Sequence, residues 1–63
     1  MEMTYDHASN IVKHFGKGNL LTGLKWMKME MQTVDDKGYP IWLTNAQVAA
    51  YRIVMNEMRQ LIG

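Results

Sequence analysis

His7 and His14 are the two histidines of the chain, and they stand seven residues apart. Metal ligation on one helix favours a spacing of three or four, with further ligands close by, as in HExxH. Seven residues of helix separate two side chains by about 10 Å along the axis, too far to share an ion. The pair therefore reads as two boundary histidines, and no metal site is expected. Asp35 and Asp36 are adjacent carboxylates followed by Lys37-Gly38. Aspartates in that setting form turns, and nothing nearby would split their pKa values as acid–base catalysis requires. The chain has no cysteine, so thiolate nucleophiles, thiolate metal sites and disulfides are excluded. No GxSxG, GxGxxG or phosphate-cradling GxxxxGK[ST] pattern occurs. No catalytic residue, cofactor or metal is expected, and the chain reads as non-enzymatic.

Lys25, Trp26 and Lys28 interleave cations with an aromatic ring, and Trp42 is expected to join them. Stacking beside lysines is how single-stranded nucleic acids are held. Against that, Glu30 follows at once and the formal net charge is only +1, weak for a polyanion binder. A nucleic-acid contact through Lys25, Trp26 and Lys28 is kept as the alternative function.

These residues must be positioned by a chain of 63 residues, which has room for one domain, 1–63. So short a chain buries only about 60% of its unfolded surface. No apolar run reaches the roughly 18 residues of a membrane span, and the start carries no signal-peptide pattern. A soluble, cytoplasmic protein is expected, with no membrane partner.

The segment Met27 to Gln47 organises the expected fold. Met27 to Gln32 alternate apolar and polar, the period of a strand with one buried face. Asp36-Lys37-Gly38 fits a three-residue hairpin loop with Gly38 left-handed. The loop sets Asp35 opposite Tyr39, Thr33 opposite Ile41 and Met31 opposite Leu43. One face then carries Met27, Met29, Met31, Thr33, Ile41 and Leu43, and a slip of one residue would spoil it. Pro40 places its strand at an edge.

Thr44 and Gln47 form a capping box, and Leu43 and Val48 a hydrophobic staple, for a helix over about 45–61. An earlier helix is expected over about 4–15, capped by Thr4, with Asp6 in its first turn and Gly16 at its left-handed C′ position. Its apolar stripe is Tyr5, Ala8, Ile11, Val12 and Phe15. Residues 1–3 precede it as a frayed end and Gly63 follows the last helix. Gly16 to Asn19 reads as a flexible connector, and Leu20-Leu21 as a short turn beneath the sheet.

The expected fold is thus α+β: helix, β-hairpin, helix, with both helices on one face of a two-stranded antiparallel sheet. The alternative is a three-helix bundle. Leu20, Leu24, Met27, Met31 and Val34 fall within a narrow helical arc, and Met, Lys, Glu and Leu favour helix. That reading leaves Trp26 and Met29 facing solvent, puts Gly23 inside a helix and makes the turn signal accidental.

The last helix is apolar over nearly half its circumference, more than a hairpin and a short helix cover. The expected function is therefore protein binding: docking on itself or on a larger protein, as a virus-encoded inhibitor of a host protein does. Tyr51, Met55, Met58 and Ile62 are the expected interface, and a homo-oligomer the expected assembly.

Overall fold

The structure, a computed structural model, describes residues 3–62. It contains three helices: α1 (Tyr5–Phe15), α2 (Leu20–Glu30) and α3 (Asn45–Ile62). Met1, Glu2 and Gly63, expected outside the helices, lie outside the described residues. Met3, expected in the frayed end, packs half-buried against the core.

α1 begins where Thr4 Oγ1 accepts from the His7 N–H at 3.1 Å, with Asp6 in the first turn near the positive end of the helix. Ala8, Ser9 and Val12 form its buried side. Its C-terminus corrects one expectation. Gly16 is not left-handed, with φ −96°. The left-handed residue is Lys17, φ 56°. The Gly18 N–H donates to the Lys13 carbonyl at 2.7 Å and the Lys17 N–H to the His14 carbonyl at 3.3 Å. Those two bonds make a Schellman ending with lysine at C′.

The expected hairpin is absent, and among the described residues there is no strand or sheet. Residues 27–30 are helical, the end of α2. Leu20, Leu24, Met27 and Met31 repeat at four, three and four residues, which gathers them within about 60° of a helix. Asn19, expected in a flexible connector, is the N-cap: its Oδ1 accepts from the Thr22 N–H at 2.9 Å. The alternation from Met27 to Gln32 is therefore overridden by a longer apolar period that starts at Leu20. As that reading requires, Met29 faces solvent and Trp26 is partly exposed.

The turn signal nevertheless marks a real turn. The Asp35 N–H donates to the Tyr39 carbonyl at 2.8 Å and the Ile41 N–H to the Thr33 carbonyl at 3.2 Å. Between them lies a single antiparallel bridge, Val34 with Pro40. The pairing stops there because Met31 belongs to the end of α2 and cannot face Leu43 in a ladder.

α3 opens with the capping box. Thr44 Oγ1 accepts from the Gln47 N–H at 3.1 Å, and Gln47 Oε1 accepts from the Thr44 N–H at 2.9 Å. Leu43 and Val48 are both buried.

The core is built from Ala8 and Val12 of α1, Leu24 and Met27 of α2, Leu43, and Val48, Ala50 and Val54 of α3. α1 is the central element. It packs on both α2 and α3, which hardly touch each other. The small residues on α1 let both neighbours approach. In the connection between α2 and α3, Pro40 and Leu43 are buried.

Candidate interaction surface

The connection between α2 and α3 contains a fixed turn. Asp35 is its organiser. Its Oδ1 accepts from the N–H groups of Lys37 and Tyr39, each at 2.9 Å, and its carbonyl accepts from the Gly38 N–H at 3.0 Å. This is an Asx turn closed by backbone bonds on both sides. Gly38 has φ +80°, where any side chain is strained. Asp35 therefore spends a carboxylate oxygen on holding the backbone, and Asp36 is exposed beside it.

The turn is anchored as well as internally bonded. Pro40 is buried, which fixes the side of the turn that faces the helices. Successive residues in extended chain point to opposite sides, so Tyr39 and Ile41 lie on the side opposite Pro40. Ile41 is 50% exposed, Val34 46% and Tyr39 37%, and Trp42, two residues past Pro40, is 64% exposed. A turn with this bonding does not need to expose four large apolar side chains for its own stability. Trp42 was expected on the outer face of a sheet. The hairpin reading turned Ile41 toward the core, whereas it is half-exposed; Val34, paired with Pro40 in the bridge, lies on Pro40's side of the turn and not with Tyr39 and Ile41. The signal that could have found them was the density of apolar residues on both sides of Asp-Asp-Lys-Gly.

Lys25, Trp26 and Lys28 lie on α2. Two helical residues turn the chain through about 200°, so Trp26 and Lys28 point roughly 160° apart. The helix does not bring the three onto one face. Lys25, Trp26 and Lys28 are all exposed.

His7 and His14 flank an open groove of about 660 Å³ on α1, which Asn10, Ile11, Phe15 and Gln47 also line. Both histidines are exposed. Ile11 and Phe15 pack half-buried against the core and form its apolar floor. Among the described residues no group of three or more His, Cys, Asp or Glu side chains converges to hold a metal ion.

Tyr51, Met55 and Met58 are half-buried against the core along one flank of α3. Ile62, on the same flank, is 87% exposed at the end of the helix. Asn45, Arg52, Asn56 and Arg59 make the exposed polar side. Among the described residues no helix is long and apolar enough to cross a membrane. Comparison with protein-family models, curated proteins and solved structures gives no match.

Proposed function

We propose that this chain is a non-enzymatic interaction module that docks on a larger protein in the cytoplasm through the turn between α2 and α3. The observation that carries the reading is the hydrogen-bonded turn, with Val34, Tyr39, Ile41 and Trp42 each exposed along it. Interfaces concentrate their energy in a few central anchors, with tryptophan and tyrosine enriched among them. A turn already held by its own hydrogen bonds loses little entropy when it binds. Loops on a rigid scaffold are where binding residues commonly sit.

The absence of cysteine fits the cytoplasmic setting. The test compares the wild type with Trp42→Ala as bait in lysate from the native source. Trp42 is not part of the core, so the variant should keep its melting temperature. Loss of a buried anchor costs about 2–4 kcal/mol, or roughly 30-fold to 1,000-fold in affinity. A partner retained by the wild type and lost from the variant supports the reading. Equal retention of every captured protein by a folded Trp42→Ala variant refutes it.

A further inference from the structure

The geometry points to a second docking surface, on α3, for an acidic amphipathic helix of another protein. It shares no residue with the turn, so it goes beyond the reading above. Tyr51, Met55, Met58 and Ile62 repeat at four, three and four residues and fall within about 60° of the helix. Arg52 and Arg59 are seven residues apart and project within about 20° of each other, roughly 40–60° to one side of Met55. Both arginines are exposed. Neither enters any side-chain hydrogen bond of the described residues. A shallow groove of about 460 Å³ lies along the arginine edge of the stripe, walled by Tyr51, Arg52, Ile53, Met55, Asn56 and Arg59, while Met58 and Ile62 continue the stripe beyond it.

An apolar stripe with a cationic row along one edge matches a helix built the opposite way. Such a partner has its own apolar stripe bordered by carboxylates one heptad apart, which spans the same length of axis, about 10 Å, as Arg52 to Arg59. Helix in groove is a recurrent mode of recognition. The charge also argues against a second copy as occupant. Glu57 is the single acidic residue of α3, and it projects about 160° from Met55. Two copies meeting on this flank would bring four arginines and no carboxylate to the seam. A nucleic acid would satisfy the arginines and leave the Tyr51–Met55–Ile62 stripe uncovered.

The experiment uses the full chain and three designed peptides as long as α3. All carry the same leucine stripe; one is flanked by glutamates, one by glutamines and one by lysines. Fluorescence anisotropy at moderate salt should show the glutamate peptide binding about tenfold tighter than the glutamine peptide, with the lysine peptide weakest. The double variant Arg52→Glu, Arg59→Glu should reverse the order and rescue the lysine peptide, which a merely unfolded chain would not do. Trp42→Ala should bind the glutamate peptide as the wild type does, so failure of the turn and failure of this site are told apart. Equal affinity for glutamate and glutamine peptides overturns the proposal. So does displacement of the glutamate peptide by an oligothymidine, or self-association through this flank that excludes it.

Discussion

Gly16 and Gly23 touch backbone to backbone where α1 ends against the first turn of α2. A Cβ on Gly16 would overlap the Gly23 nitrogen and lie 2.6 Å from the Gly23 Cα. A Cβ on Gly23 would overlap the Val12 carbonyl oxygen and lie 2.9 Å from Val12 Cγ1. Each glycine is there because the other helix leaves no room for a side chain. Gly23→Ala therefore sets two effects against each other. Alanine is the better helix former by about 1 kcal/mol. Overpacking against a backbone carbonyl costs about 1–3 kcal/mol or more, because the main chain itself must move. We expect a net loss of about 2 kcal/mol in thermal or urea unfolding. A stabilised Gly23→Ala variant would mean that α1 and α2 do not cross here.

That contact explains what was not legible in the chain. Gly23 counts against a helix when only its neighbours in sequence are weighed. Its reason is Val12, eleven residues earlier and on another helix, and no local pattern encodes that. Met27 to Gln32 compounded the difficulty, because a short alternating run fits both the strand period and one side of a helix. The features that depend on near neighbours were legible. Thr4 caps α1, and Thr44 with Gln47 caps α3. Asp35 bonds across to Tyr39, although no strand follows. The exposed turn was legible only as a turn, because its apolar residues were assigned to a sheet. Tyr51, Met55 and Met58 fall on one flank as their spacing requires, whereas Lys25, Trp26 and Lys28 belong together only in sequence.

Gly38→Ala separates the turn from the hairpin. Gly38 has φ +80° and open space around the position of a Cβ, so the penalty is conformational and not steric. A side chain there costs about 1 kcal/mol. We expect that loss in a protein whose far-ultraviolet circular dichroism is helical. A neutral substitution would mean that the turn is not held in this conformation.

Thr44→Ala removes the acceptor of the Gln47 N–H and should cost about 1 kcal/mol. Thr22→Ala is the control, since its backbone N–H is capped by Asn19 whatever its side chain. Equal losses at the two positions in chemical denaturation would remove the capping box as a source of stability.

Asp35→Ala should act on binding more than on folding. It deletes the acceptor shared by Lys37 and Tyr39 and leaves the buried residues of all three helices in place. Two exposed hydrogen bonds are worth about 1–2 kcal/mol together. Amide hydrogen exchange should rise at Lys37 and Tyr39 and stay unchanged at Val12, Met27 and Val54. Uniform acceleration across the helices would show that the turn is part of the global fold and not a local, preorganised unit.

The most direct test of the docking turn is site-specific photo-crosslinking. A benzoylphenylalanine in place of Tyr39 keeps an aromatic group at the exposed turn, and one in place of Gln60 reports on an exposed position of α3. Both chains are irradiated in lysate from the native source, with and without the further change Trp42→Ala. The docking account requires one discrete cross-linked protein from position 39, lost when Trp42 is replaced and not formed from position 60. A cross-link from position 39 that survives Trp42→Ala, or the same products from both positions, would contradict it.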